Sequence, residues 1–351
     1  MTRQPFPKRL RPFVALLLAI AIIPVVAAPS FAQEAKNVEK TFRARSFLGS
    51  RERKYVVHLP SNYNPAEKLP LVMVLHGCLE RGGDSNQKPP FPLPMAIETI
   101  EHDSKFDEVA DRERFIVVYP NHKLDLINPS VPYCWEWWID ANIHKGSGEV
   151  RDLFEIVNEV QNDYKVDPNR IHIAGLSSGA AMTVAALVAY ADKFASGSPT
   201  AGLPYSETQH NFMQHAYKPV DDIAAAMNAE MGANKRPVPI FIIQSKDDET
   251  VNFHYAENIR DSWGKAFAVD TQHPISSESG VTKDTPWTYE KYKGPDGNTA
   301  VETLFLKGLK HGWYGDGEGQ FAFSNAPDTA QLAWDFFKAH PLHRAPAGTS
   351  R

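Results

Sequence analysis

Six short stretches of this chain are apolar almost without interruption, and helical patterns separate them. They are residues 55–59, 71–75, 115–119, 171–174, 240–244 and 302–306. A strand with one face in water alternates apolar and polar residues, whereas a strand buried on both faces does not. Such strands, interleaved with helices, fold into a mostly parallel central sheet flanked by helices, an α/β fold. The helices are legible in the same way. Val150, Leu153, Phe154, Val157 and Val160 recur at helical spacing, so 150–163 forms an amphipathic helix. Residues 178–191, rich in Ala and Met, read as a buried helix, and 254–267 and 327–339 are further helices.

Asp167-Pro168-Asn169 reads as a turn before the fourth strand. Residues 79–103 and 120–149 carry many Pro, Gly and polar residues and read as long loops, which in a compact domain are usually functional. Residues 196–237 read as a small insertion over the sheet. No stretch has the composition of a linker, so 33–351 is expected to be one domain.

Residues 1–32 have a different character. Arg3, Lys8, Arg9 and Arg11 precede an apolar run over 13–23, and Ser30-Phe31-Ala32 offers small residues where signal peptidase reads them. This is the pattern of a secretory signal peptide cut after Ala32. The run is shorter than the roughly 20 residues of a spanning helix, so stable membrane insertion is not expected. Cleavage would take four basic residues and no acidic ones, moving the net charge from −5 to −9. A surface this acidic disfavours nucleic acid and anionic membranes as partners. The expected location is secreted or periplasmic. There the two cysteines, Cys78 and Cys134, read as one disulfide.

The chemistry centres on Gly175-Leu176-Ser177-Ser178-Gly179. An apolar strand enters this G-x-S-x-G motif and an Ala-rich helix leaves it. That context presents a nucleophilic serine on a sharp strand-to-helix turn and requires small residues two positions to either side. A serine hydroxyl needs a base, and the base needs an orienting acid, which in this chain order follow the serine. Asp247 and Asp248 lie just past the strand 240–244 and both qualify by type. His311, after the strand 302–306, is the base. An oxyanion site needs two N–H donors. Ser178, directly after the nucleophile, supplies one, and Cys78 of Leu75-His76-Gly77-Cys78 supplies the other. Trp135 and Trp137, in Cys134-Trp135-Glu136-Trp137-Trp138, and Trp313 offer flat apolar area for walls of a substrate cleft. Asp140, His144 and Glu149 match no tight metal-ligand spacing, and neither metal nor cofactor is required by acyl transfer.

With these residues assembled, the chain resembles the poly(3-hydroxybutyrate) depolymerase-type esterases, a group that includes feruloyl and acetylxylan esterases of the α/β-hydrolase superfamily. The likeness runs from about Arg53 to His340. It rests on Leu75-His76-Gly77-Cys78, Phe115-Ile116-Val117-Val118-Tyr119-Pro120, Cys134-Trp135-Glu136-Trp137, Gly146-Ser147-Gly148-Glu149 and Gly175-Leu176-Ser177-Ser178-Gly179-Ala180-Ala181-Met182. Ala201-Gly202-Leu203-Pro204-Tyr205 and His311-Gly312-Trp313 complete it. The resemblance implies Ser177 as nucleophile, His311 as base and, from the D-x-x-V pattern ending at Val251, Asp248 as acid. It agrees with Cys78 as an oxyanion donor. Two positions depart from the family pattern: Gln244-Ser245 stands where His-Gly is common, and Lys310 stands where Gly usually precedes the base. The chain ends soon after its last helix, so a soluble or oligomeric ester is the expected substrate rather than a solid polymer. The same triad also serves feruloyl and acetylxylan esters and amides, so a peptidase or a polyaspartate hydrolase is the competing enzyme reading. A binding protein that kept the fold would not need an intact Ser/Asp/His set.

Overall fold

A computed structural model describes residues 1–2, 35–78, 96–122, 133–315, 317, 319 and 321–342. The chain separates into two compact units, Met1–Ala32 and Gln33–Arg351. The leader expected over 1–32 lies, but for its first two residues, outside the described residues.

Ten strands of the larger unit form one sheet among the described residues: β1 (Lys36–Phe42), β2 (Arg53–Leu59), β3 (Leu69–Leu75), β4 (Ile116–Pro120), β5 (Val166–Leu176), β6 (Ser196–Thr200), β7 (Ile240–Ser245), β8 (Ser276–Thr282), β9 (Thr285–Lys293) and β10 (Thr299–Leu306). Their spatial order is β1-β2-β4-β3-β5-β6-β7-β10-β9-β8. The six strands from β4 to β10 run parallel, and antiparallel strands close both edges. The helices are α1 (Ala96–Ser104), α2 (Phe106–Glu113), α3 (Gly148–Asp163), α4 (Ser178–Ala189), α5 (Gln209–Gln214), α6 (Val220–Met231), α7 (Phe253–Phe267) and α8 (Thr329–Ala339). This is the mostly parallel sheet flanked by helices expected from the apolar runs, in the α/β-hydrolase arrangement that the resemblance implies.

The two-residue period of a strand explains why those runs are unbroken. Leu71, Met73 and Leu75 of β3 point into a core beneath α3, α4, α6 and α7, while Val72 and Val74 point into a second core beneath α1, α2 and α8. Ile240 and Ile242 of β7 divide from Phe241 and Ile243 in the same way. Alternation of side-chain direction sends every residue of such a strand into one core or the other.

Three expectations are corrected. Residues 96–104 belong to helix α1 rather than to a loop, and Asp140–Asn142 makes a short 3-10 turn within the second expected loop. Residues 79–95 and 123–132 of those loops lie outside the described residues. The stretch 196–237 is not an insertion over the sheet, because its first five residues are β6, between β5 and β7. Asp167-Pro168-Asn169 does not precede β5 but lies inside it. The register passes from Leu69↔Val166 to Leu71↔Ile171, so the extra residues of β5 bulge out. The Asp167 carboxylate accepts from Asn169 N–H at 3.0 Å and holds the bulge.

Candidate active site

Ser177 joins β5 to α4 with φ 57° and ψ −118°. A non-glycine residue there is held against its steric preference by its surroundings, at a cost of about 1–3 kcal/mol. The surroundings are identifiable. Ser177 N–H donates to Thr200 O of β6 at 3.0 Å, and Ser177 O accepts from Ala181 N–H in the first turn of α4, also at 3.0 Å. A Cβ on Gly175 would overlap the Gly179 backbone, and one on Gly179 would overlap the carbonyls of Leu75 and His76. The two glycines of the motif are therefore required by close approach of three backbone segments: the end of β5, the start of α4 and the turn after β3. The same approach brings that turn beside Ser177, since Leu75 is in register with Gly175. Ser178 opens α4, so its N–H belongs to the helix end that has no intrahelical acceptor.

Asp248 and His311 follow the adjacent parallel strands β7 and β10. His311 Nδ1 lies 2.7 Å from Asp248 Oδ2. The Asp248 side chain is fully buried and that of His311 is 13% exposed. Asp248 Oδ1 accepts the backbone N–H groups of Thr250 (2.8 Å) and Val251 (2.9 Å), and Oδ2 also accepts the Gln244 amide at 3.1 Å. A carboxylate so supplied with donors acts as an acceptor toward the imidazole. The His311 proton then sits on Nδ1, and Nε2 keeps its lone pair. Asp247 has a different task. Its carboxylate accepts the Gly308 N–H at 2.6 Å and holds the turn after β10. Ser245 Oγ donates to Leu309 O at 2.6 Å, so the loop carrying His311 is tied to the end of β7 at a second point.

Ser177, Asp248 and His311 all lie past the C-terminal ends of parallel strands, where ligands bind in open α/β sheets. Cys78 lies past the end of β3, the neighbour of β5. It is joined by a disulfide to Cys134, which fastens the turn after β3 to the start of the tryptophan cluster.

The indoles expected as cleft walls are instead core residues. Trp135 is completely buried, with the Arg53 guanidinium 5.1 Å from its ring centroid and the rings of His76 and His122 packed against it at 5.4 and 5.6 Å. Trp137 is 7% exposed and packs edge-on against Trp138 and Phe212. Trp313 is 3% exposed and meets Phe106 edge-on. Aromatic content alone does not separate a cleft wall from a core, and here burial of large apolar area beneath the loops prevails.

The acids and histidines weighed for a metal do not converge. His144 pairs with Asp140 and Glu230, whereas Glu149 is buried beside Arg53. Glu149 and Glu136 do approach His122. However, Arg53 and the Glu136 N–H take the oxygens of Glu149, and Arg51 and Asn142 reach Glu136. The group is a buried ion-pair network. Glu149 and Asp152, which both accept from Arg53, lie 96 and 99 residues from it in sequence, so periodicity gave no sign of the network. Gln244 was also missed as a partner of the acid, although its departure from the family pattern had marked the position.

The sequence model of the family described as Esterase PHB depolymerase matches residues 53–259. Poly(3-hydroxyalkanoate) depolymerase C of Paucimonas lemoignei is 27% identical over 262 residues, which cover 73% of this chain and 57% of that protein. Poly(3-hydroxybutyrate) depolymerase of Ralstonia pickettii is 27% identical over 318 residues, covering 86% and 59%. The chain thus spans less than two thirds of the length of either relative. Among solved structures, an acetyl xylan esterase from Aspergillus awamori superposes with a TM-score of 0.60 at 18% identity, covering 78% of this chain and 94% of that one. That likeness is one of fold. The family match takes in β2 through the first half of α7, including the serine turn and Asp248, and extends over more than half of the sequence, so the chain belongs to the Esterase PHB depolymerase family.

Proposed function

We propose that this chain is an exported serine esterase that hydrolyses carboxylic esters of the hydroxybutyrate type through Ser177, His311 and Asp248. The observation that carries the reading is the 2.7 Å contact between His311 Nδ1 and Asp248, past the C-terminal ends of the parallel strands, where Ser177 is held at φ 57°. In this mechanism His311 Nε2 takes the Ser177 proton as Oγ attacks the ester carbonyl. Asp248 fixes the imidazole tautomer and stabilises its charged form. The N–H groups of Cys78 and Ser178 receive the oxyanion. The tetrahedral intermediate expels the alcohol, which takes the proton from His311. Water, activated by the same imidazole, then releases the acid. Residues 33–351 would form the one catalytic domain.

The test is turnover of short p-nitrophenyl esters, hydroxybutyrate oligomers, methyl ferulate, acetylated xylan and polyaspartate by the protein and two variants. Hydroxybutyrate oligomers are expected to be the preferred substrates. Preference for ferulate or acetylxylan would move the substrate to plant polymers with the chemistry unchanged, and cleavage of the polyamide alone would refute the ester reading. Asp248→Asn is expected to lower kcat by about 10³–10⁴-fold, because the wrong imidazole tautomer is then favoured. Asp247→Asn, which loses only the contact to Gly308, should stay within about tenfold of wild type. Equal effects of the two substitutions would remove Asp248 from its role.

Export is supported by the leader pattern over 1–32 and by the Cys78–Cys134 disulfide, a bond that persists in oxidising compartments. N-terminal sequencing of protein recovered from the periplasm or medium should begin at Gln33. An intact Met1 on the mature protein would contradict it.

A further inference from the structure

His76, in the turn after β3, is fully buried and has both ring nitrogens engaged by backbone groups. Nε2 lies 2.9 Å from the His122 backbone nitrogen, and Nδ1 lies 2.8 Å from Gly77 O. The amide of His122 can only donate, so Nε2 must be the bare nitrogen. The proton therefore sits on Nδ1 and is donated to the Gly77 carbonyl. Trp135 packs on the ring at a centroid distance of 5.4 Å and removes its freedom to turn. Burial pushes the imidazole down to about 3, so it is neutral wherever an esterase of this kind works.

The bond to Gly77 matters for the next atom in the chain. In a trans peptide the C=O and the following N–H point in opposite directions. A Gly77 carbonyl drawn toward His76 leaves the Cys78 N–H directed away from His76, on the other side of the same peptide plane. The turn itself is pressed against the start of α4, where Gly179 has no room for a Cβ beside the carbonyls of Leu75 and His76. Rotation of the Gly77–Cys78 peptide would turn ψ of a glycine, the residue with least steric resistance to it. Some other group has to hold that plane. The disulfide holds the Cys78 side chain, and His76 holds the carbonyl on the opposite side.

We propose that His76 is a positioning residue of the oxyanion site: its Nδ1–H fixes the Gly77–Cys78 peptide in the one orientation that offers the Cys78 N–H to the substrate oxygen. The inference rests on the reading of Ser177 as nucleophile and Cys78 as donor given above.

Two amide substitutions separate the ring nitrogens. Asn places its terminal group near Nδ1 and can still donate to Gly77 O; Gln reaches toward Nε2 and leaves that carbonyl without its donor. His76→Gln is expected to lower kcat on a p-nitrophenyl ester by about 100-fold, the effect of losing one oxyanion donor, with KM within about threefold. His76→Asn should recover at least about tenfold of that loss. Unchanged kcat in His76→Gln would overturn the proposal. So would equal loss in both variants in proportion to lost thermal stability, the mark of a packing role alone. Fluorophosphonate labelling of wild type at Ser177 keeps the two readings apart. No label sinks the nucleophile assignment, whereas a labelled enzyme with a fully active His76→Gln variant sinks only the role of His76. Should the Gln variant fail to fold, imidazole ¹⁵N NMR of wild type decides. The Nδ1–H tautomer is expected to persist between about pH 5 and 8, and an Nε2–H ring would refute the clamp.

Discussion

Replacing Ser177 by Ala is expected to lower kcat/KM for a short p-nitrophenyl ester by about 10⁴–10⁶-fold while the protein melts within about 2 °C of wild type. The size of the loss follows from the division of labour in the site. Without Oγ no acyl-enzyme forms, and what remains is the help of the oxyanion donors and of substrate binding. The small effect on stability follows from the backbone. Ala and Ser meet the same steric objection to φ 57°, so the substitution neither adds strain nor relieves it. The neighbouring serine provides the control. Ser178 is 1% exposed, and its hydroxyl is buried where no substrate reaches. Its proposed contribution is a backbone N–H, which alanine retains, so Ser178→Ala should keep activity within about tenfold. Rates and melting curves for the two variants decide between the adjacent hydroxyls. Turnover that survives in Ser177→Ala and disappears in Ser178→Ala would reverse the assignment.

Particular elements explain how far the sequence carried this reading. β3, β4, β7 and β10 were legible because they face two cores and so consist of apolar residues throughout. β6 is as buried as any of them, yet its sequence is Ser-Gly-Ser-Pro-Thr. It lies where α4 presses onto the sheet, and a Cβ on Gly197 would collide with Leu187. Smallness, not hydrophobicity, fits that strand to its place, and a hydropathy pattern does not register smallness. β8 and β9 escaped for the opposite reason, since they form a largely solvated edge hairpin whose residues are mostly polar. At the site, the serine and histidine were legible from motif and chain order. Asp247 and Asp248 were not separable by residue type, because adjacent carboxylates past a strand end differ only in where the backbone turns them. Family resemblance favoured Asp248. The physical distinction lies in their contacts: one carboxylate holds Gly308 and the other holds His311.

The largest loss of stability is expected at Arg53. Its side chain is fully buried, with Nε 2.9 Å from Asp152 and an Nη 3.0 Å from Glu149, both of which are equally buried. Burial pushes the Glu149 carboxyl up, but His122, Arg53 and the Glu136 N–H outweigh it and hold the group at about 2. Burial of Asp152 prevails over the same guanidinium and raises its carboxyl. Arg53→Met keeps the length of the side chain and removes its charge. Two buried carboxylates would then have lost the cation that pairs with both of them, a situation that costs about 3–5 kcal/mol. By contrast Arg43→Ala breaks a pair whose side chains are 77% and 43% exposed, so a loss of about 0–1 kcal/mol is expected. The pH dependence has a definite sign. In wild type the depressed Glu149 adds stability above its unfolded value of 4.5, and that stability is lost as pH falls toward 2. In Arg53→Met the Asp152 carboxyl, already raised in the folded state, loses the guanidinium that opposes the rise, so its protonation relieves the folded state and the deficit relative to wild type should shrink from about pH 8 to pH 4.5. Urea unfolding of both proteins at the two pH values measures it. A deficit below about 1 kcal/mol at pH 8, or one that grows on acidification, would mean that the network does not depend on Arg53 for its charge balance. The guanidinium also lies against Trp135, which packs on His76. A folded Arg53→Met protein should therefore lose kcat along with stability, because the indole that packs on the ring proposed to hold the oxyanion turn would have lost its cation.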